Sequence, residues 1–212
     1  MVIAIDGPAG VGKSTVARGV ADALGFTYLD SGAMYRCAAL AALRRGVDLD
    51  DGPALGKIAR GLDIRLRSGR VERDGEDVTD AIRAPEVGQA ASRVSVHPEV
   101  REAMVERQRA LIARGGYVAE GRDIGTVVSP AAPLKVFLTA SDPERARRRA
   151  AQTGEPVGEV EDAQRERDAR DRGREHGALR PAQDAVELDT TGLSVAESVE
   201  RVVELARQRE LA

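Results

Sequence analysis

Aromatic side chains are nearly missing from this chain: among 212 residues there are two Phe, three Tyr and no Trp. Proteins that hold single-stranded nucleic acid stack bases on aromatic rings along a basic groove, and a chain with so few rings and a formal charge of -3 supplies neither, so no nucleic-acid partner is expected. Cysteine occurs once, at Cys37, which excludes an internal disulfide and agrees with a reducing compartment. No apolar run approaches the length needed to span a bilayer. The first residues, Met1-Val2-Ile3-Ala4-Ile5-Asp6, carry no basic n-region and no small-residue cleavage site, so the expectation is a cytoplasmic protein without membrane contact. Lysine is scarce too, confined to Lys13, Lys57 and Lys135; the other cations are arginines, whose planar fork suits phosphate and carboxylate. A compositional bias of the source genome accounts for surface arginines in general, but not for where they cluster.

What is present reads as one α/β domain with a modest insertion. Hydrophobic residues make up 42% and charged residues of mixed sign 32%, enough to bury a core and stay soluble. Val2 to Asp6 is an apolar strand running into a glycine-rich loop, followed by a helix over Lys13 to Leu24 that Gly25 closes. A second strand over Phe26 to Leu29 leads to a helix capped by Asp30 or Ser31. This alternation is the grammar of a doubly wound sheet. The middle departs from it. After a helix-like stretch from Pro53 to Leu62, three short strands over Ile64–Leu66, Val71–Arg73 and Glu76–Val78 are separated by turn signals at Ser68-Gly69 and Asp74-Gly75, marking residues 63–83 as a small β insertion. Helices are expected over Pro85 to Val94 and Pro98 to Arg114, then strands over Tyr117 to Glu120 and Leu134 to Thr139. A helix opening at Asp142-Pro143-Glu144, a polar loop over Gln152 to Gly158 and a charged helix over Val160 to Gly173 follow. Val186 to Leu188 is a last strand, and Ser194 caps a closing helix through Gln208. The core is thus 1–62, 84–150 and 175–212, with a lid over about 150–174.

Gly7-Pro8-Ala9-Gly10-Val11-Gly12-Lys13-Ser14 fits G-x-x-x-x-G-K-[ST] at every fixed position, between a strand and a helix as the motif requires. Glycines let the backbone amides wrap a phosphate, the helix N-terminus adds a positive dipole end, Lys13 reaches the β- and γ-phosphates and Ser14 can ligate Mg²⁺. Thr15 and Arg148 complete the expected ATP contacts. This loop alone does not separate a kinase from a GTPase switch or a motor ATPase. The chain lacks an Asn-Lys-x-Asp stretch for reading guanine, and it lacks a motor-style acidic strand end, Glu120 being the nearest candidate.

A kinase must also hold a second anionic substrate with cations outside that loop. Three stretches qualify. Ser31, Tyr35 and Arg36 follow the second strand at the edge where open α/β sheets bind ligands, although a helix cap with an amphipathic tyrosine would look the same. Arg122 and Asp123 sit between Gly121 and Gly125, where a surface turn with a salt bridge is the blander reading. Arg167, Arg170, Asp171 and Arg174 fall at i, i+3, i+4 and i+7, placing three guanidiniums and one carboxylate on one helix face; such charge runs are often only solvated surface. With Arg145, Arg148 and Arg149, these arginines frame the polar loop in the manner of a lid that excludes water. His97, before a proline, and His176, in a polar tail, read as structural or incidental, and Cys37 as a small core residue.

The segments IDGPAGVGKST, LDSGAMYR, QAASRVSVHPEVRE, EGRDIGTVV and RERDARDRGR, in that order, closely resemble bacterial cytidylate kinase, and the resemblance runs from Val2 to the last helix. It implies a three-layer P-loop kinase fold with a five-stranded parallel sheet, a β-containing acceptor-binding insertion and an arginine-rich lid. It also implies ATP with Mg²⁺ as donor system, CMP or dCMP as acceptor, and a monomer. By the same resemblance, Ser31, Arg101, Asp123 and Arg174 surround the cytosine, Ser92, Arg167 and Asp171 contact the sugar, and Arg36 and Arg122 bind the acceptor phosphate with Tyr35 nearby. Lys13, Arg122 and Arg36 are the expected catalytic set. The chain departs from the family in having Ala169 where Asp is frequent, and in a shorter lid.

Overall fold

The computed structural model describes residues 1–67 and 69–211. The chain divides into two compact units, Met1–Leu29 with Ile112–Ala212, and Asp30–Leu111.

The first unit is built on a five-stranded sheet. Strand β1 (Val2–Asp6) is buried along its whole length, which is why its sequence is continuously apolar rather than alternating. It lies between β6 (Tyr117–Gly121) and β7 (Leu134–Thr139), parallel to both. With β2 (Thr27–Asp30) and β8 (Val186–Asp189) the order is β2-β6-β1-β7-β8. Helix α1 (Lys13–Leu24) turns Val16, Ala17, Val20 and Ala21 onto the sheet and ends at Gly25, in the left-handed conformation expected of a C-cap glycine. Helix α8 (Val195–Gln208) starts from a full capping box: Ser194 accepts from the Glu197 amide and Glu197 accepts from the Ser194 amide. Ile3, Ile5, Val16, Val20, Leu134, Val136, Leu138, Val202 and Ala206 form the core between these layers. Helices α6 (Asp142–Thr153) and α7 (Val157–Arg172) pack on one another.

The second unit holds α2 (Ser31–Arg44), α3 (Gly52–Gly61), the strands β3 (Ile64–Arg67), β4 (Arg70–Arg73) and β5 (Glu76–Asp77), and helices α4 (Pro85–Val94) and α5 (Pro98–Ile112). Asp30 caps α2 by accepting from the Ala33 amide at 2.8 Å. The run Cys37-Ala38-Ala39-Leu40-Ala41-Ala42 is buried, and its small side chains let α4 approach closely. The insertion is an antiparallel sheet in the order β3-β4-β5. Asp74 and Gly75 both have positive φ, 52° and 83°, the requirement of a two-residue hairpin turn between Arg73 and Glu76. The turn expected at Ser68-Gly69 involves Ser68, which lies outside the described residues.

One expectation is overturned. The polar stretch Gln152 to Gly158 is not a seven-residue loop: α6 runs to Thr153 and α7 begins at Val157, leaving only Gly154, Glu155 and Pro156 between them. Gly154, left-handed at φ 76°, caps α6, and Pro156 sits where a helix can start without an amide partner. Composition suggested a loop; two adjacent caps produce the same composition. A short π-helix over Ile124–Val128 was also not foreseen.

Candidate active site

The phosphate loop begins where β1 ends. Gly7 has φ 152°, and a Cβ there would strike the Leu138 carbonyl of β7, so the loop can leave the sheet only through glycine. Gly12 caps α1 in the left-handed conformation at φ 94° with no side-chain cap bond, leaving first-turn amides for an anion. Lys13 is buried and donates to the Pro8 carbonyl at 2.5 Å, curled over its own loop. Ser14 and Thr15 are exposed. Arg148 lies against the loop's outer edge: it donates to the Val11 carbonyl at 3.3 Å and the Thr190 carbonyl at 2.7 Å, while Glu144 accepts from its Nε at 2.8 Å.

Other charges of the first unit converge on Lys13. Burial and then the Arg122 guanidinium push its ammonium well below the usual lysine range, with Arg167 adding to the effect and Glu120 and Asp171 opposing it. Of the expected residues, Arg122, Arg167 and Asp171 therefore lie near the loop lysine, and Arg174 joins them through Asp171. Asp171, almost fully buried, accepts from Arg122 Nε at 2.8 Å and from Arg174. Burial alone would raise this carboxyl, but Arg122, Arg174 and Arg167 outweigh it and hold Asp171 below the usual carboxylate range. Arg170 donates to Glu166 one helical turn back, at 2.8 Å. Arg174 follows the helix rather than ending its face, because α7 stops at Arg172 with Gly173 as cap. Asp123 is buried at the start of the π-helix, and its carbonyl accepts from the Val127 amide at 2.8 Å. Glu120, the candidate for a motor-style carboxylate, accepts a 2.5 Å hydrogen bond from the Tyr28 hydroxyl.

In the second unit, Ser31 is buried at the first turn of α2. Tyr35 and Arg36 are half-buried, Arg36 donating to the Ile82 carbonyl at 3.4 Å. Arg101, buried on α5, holds its guanidinium 5.9 Å from the Tyr35 ring centre and donates to the Ser95 carbonyl at 3.5 Å. Ser92 is buried on α4, and its carbonyl accepts from the Ser95 hydroxyl at 2.9 Å. His97 Nε2 lies 2.8 Å from the Leu49 carbonyl, and His176 is exposed.

Arg145 was expected among the lid arginines, and its role is different. It is buried, and its Nη1 donates to Asp168 at 2.6 Å and to the Ala9 carbonyl at 2.8 Å. Asp168 in turn accepts from the Ala9 amide at 3.3 Å, so the pair clamps both backbone groups of a phosphate-loop residue. Gln164 donates to the Arg145 carbonyl at 3.3 Å. Asp168 and Gln164 were missed, yet a signal existed. Val160, Gln164, Asp168 and Asp171 recur at helical spacing and are the buried stripe of α7. Polar residues stand there where apolar ones would ordinarily face a core, because this stripe faces the phosphate loop.

The family described as cytidylate kinase matches residues 3–208. A cytidylate kinase of Solibacter usitatus is 49% identical over 216 residues, covering 99% of this chain and 93% of its own length. One from Cupriavidus necator is 51% identical over 208 residues, covering 96% and 94%. Among solved structures, a gluconokinase from Sinorhizobium meliloti matches with a TM-score of 0.53 at 19% identity, over 99% of this chain and 93% of that one, a likeness of fold alone.

Proposed function

This chain belongs to the cytidylate kinase family, and from that premise we propose that it moves the γ-phosphoryl group of ATP onto CMP and dCMP, giving CDP and dCDP. The observation that carries the reading is the crowd of cations at the phosphate loop. Lys13, Arg122 and Arg167 are close enough to depress the lysine's proton affinity, an arrangement that is costly until polyanions arrive. A loop that served one triphosphate would not need two further guanidiniums beside its lysine; a second nucleotide, its phosphate at Arg122 and its sugar at Arg167, accounts for them.

The donor contacts are Gly7 to Thr15 and Arg148. For the acceptor, Arg122 and Arg36 bind the phosphate and Tyr35 lies beside it, while Ser92, Arg167 and Asp171 contact the sugar. Ser31, Arg101, Asp123 and Arg174 read the base. Cytosine presents acceptors at N3 and O2 and a donor at N4, matching guanidinium donors and the Asp123 carboxylate; uracil reverses the pattern at N3 and O4 and leaves such groups unpaired. Transfer is direct and in line. The attacking phosphate oxygen is already ionised at neutral pH, so no general base is required, in accord with the structural engagement of His97. Catalysis rests on loop amides, Lys13 and the arginines, which position and neutralise.

Mg²⁺ fits this arrangement. Among the described residues no group of three or more His, Cys, Asp or Glu could cage a metal, whereas Mg²⁺ prefers one or two protein oxygens with phosphates and water. The exposed Ser14 hydroxyl would hold it, and when bound it neutralises charge on the β- and γ-phosphates.

The test is a steady-state assay with ATP, Mg²⁺ and CMP, dCMP, UMP, AMP and GMP in turn. CMP and dCMP are expected to be the preferred acceptors, with transfer abolished in Lys13→Ala. Equal use of UMP or AMP would defeat the cytosine reading, and ATP binding without transfer to any acceptor would defeat the kinase reading. Arg101→Ala should narrow the CMP/UMP preference while leaving ATP binding intact.

A further inference from the structure

Asp6 has no place in the reaction described above, yet few carboxylates in the chain are so completely engaged. It is the last residue of β1 and immediately precedes Gly7. Its side chain reaches across to the segment after β6, where Oδ1 accepts from the Ile124 amide at 2.9 Å and Oδ2 from the Gly125 amide at 2.8 Å. Both oxygens are thereby used on consecutive amides of the first turn of the π-helix, directly after Arg122 and Asp123. Carboxylate-to-amide bonds of this length are charge-assisted and about twice as strong as neutral ones.

The contact is built on both sides. A Cβ on Gly125 would lie 3.2 Å from Lys135 Cδ and 3.3 Å from its Cγ, so a larger residue there would shift the Lys135 stem, whereas its 3.4 Å to Asp6 Oδ2 is an ordinary contact. The Lys135 stem passes the same spot, but its ammonium leaves for the Pro130 carbonyl at 2.5 Å and for Asp184 at 2.8 Å. Lys135 therefore does not pair with Asp6, whose oxygens are held by the two amides. Burial pushes the Asp6 carboxyl up to about 6, with the two amide bonds pulling against it, Asp123 adding to the rise and Lys13 opposing it.

We propose that Asp6 is a positioning residue for the acceptor: it ties the segment bearing Arg122 and Asp123 to the strand from which the phosphate loop springs, fixing the acceptor contacts in register with Lys13. The β1–β6 pairing ends with Asp6 opposite Gly121, so beyond that point backbone ladder bonds no longer hold the two segments together. The Asp6 side chain continues the connection where the ladder stops, at the residues that must not drift. The proposal rests on the reading of Arg122 and Asp123 as acceptor contacts.

The experiment compares wild type with Asp6→Asn and Gly125→Ala. Asn keeps one acceptor oxygen but turns an NH₂ toward the other amide; Ala at 125 crowds the Lys135 stem beside the same amide without changing charge. Steady-state kinetics with ATP, CMP and UMP are combined with hydrogen exchange of the peptide covering residues 122–128. Asp6→Asn is expected to lower kcat/KM for CMP by roughly 10²-fold, the order that a misplacement of about 1 Å costs, and Gly125→Ala to lower it less, because the neighbour there need give only a few tenths of an ångström. KM for ATP should stay within about twofold, the CMP/UMP preference should shrink, and exchange at Ile124 and Gly125 should accelerate. Unchanged CMP kinetics with accelerated exchange would overturn the positioning role, and unchanged exchange would overturn the tie itself. An equal loss of ATP binding would make Asp6 a phosphate-loop residue instead. Arg122→Ala and Asp123→Ala run alongside: if neither affects CMP, the acceptor reading has failed, while the exchange data still decide whether Asp6 holds the segment.

Discussion

Removing the Asp168 carboxylate would leave a buried guanidinium beside the phosphate loop with one of its three partners gone. In Asp168→Ala, Arg145 loses its 2.6 Å ion pair and the Ala9 amide loses its acceptor; Arg145 keeps the Ala9 carbonyl and Asp142. Side-chain exposures of 4% for Arg145 and 2% for Asp168 put the pair in the class where breaking it costs about 3–5 kcal/mol. Asp142 is 61% exposed and retains part of the compensation, so the lower end, about 3 kcal/mol, is expected. For a chain of this length that is a fall in Tm of about 6–12 °C. The assay is thermal and urea unfolding followed by far-UV circular dichroism. The double variant Arg145→Met/Asp168→Leu removes both charges and should recover more than half of the loss, because no uncompensated ion stays buried. A loss below about 1 kcal/mol in Asp168→Ala would mean that the pair behaves like a solvated surface bridge, and the reasoning would fail. A double variant as damaged as the sum of the two singles would refute the coupling.

Three further outcomes follow from the same geometry. Gly7→Ala forces a Cβ into the Leu138 carbonyl at φ 152°, and should cost about 1–3 kcal/mol of strain or displace the loop; calorimetric titration with ATP should show weaker binding. Asp171 is held below the usual carboxylate range, so its stabilisation is complete above about pH 4 and is lost as pH falls through its depressed folded value. Asp171→Asn should therefore flatten the acid limb of a stability-against-pH curve, and an unchanged limb would contradict the assignment. Burial pushes the Cys37 thiol up to about 12, so iodoacetamide at pH 8 should leave native protein unmodified while alkylating it in urea, as mass spectrometry would show.

How far the sequence could be read differs between backbone and side chain. The limits of β1, α1, α4 and β7 follow from local signals: an apolar run ending in a glycine loop, Gly25 as cap, Pro85 at a first turn. Ser31, Tyr35 and Arg36 are positioned on α2 as the spacing required. Partner choice among arginines was not legible. Arg145 and Arg148 stand three apart in one helix with the same chemistry, yet the first is buried against Asp168 and the second spans Glu144, Val11 and Thr190. Which carboxylate meets which guanidinium depends on contacts more than 20 residues away, as between 145 and 168, and a local pattern holds no record of them. Asp6 escaped for a related reason. It reads as the last residue of an apolar strand with no role for its side chain, and the two amides that define it lie 118 and 119 residues further on.

The scarcity of lysine has a practical side once burial is known. Lys13 and Lys135 are both 7% exposed and engaged through their amines, whereas Lys57 stands exposed on α3. Among the described residues the second unit thus carries the one lysine open to an amine-reactive dye, and the first unit has none. With the exposed α-amine of Met1 blocked first, an N-hydroxysuccinimide fluorophore at Lys57 would mark the unit that contains Ser31, Arg36 and Arg101 and leave the phosphate loop chemically untouched. Its emission and anisotropy would then report separately on that unit as nucleotides are added, without any engineered attachment site.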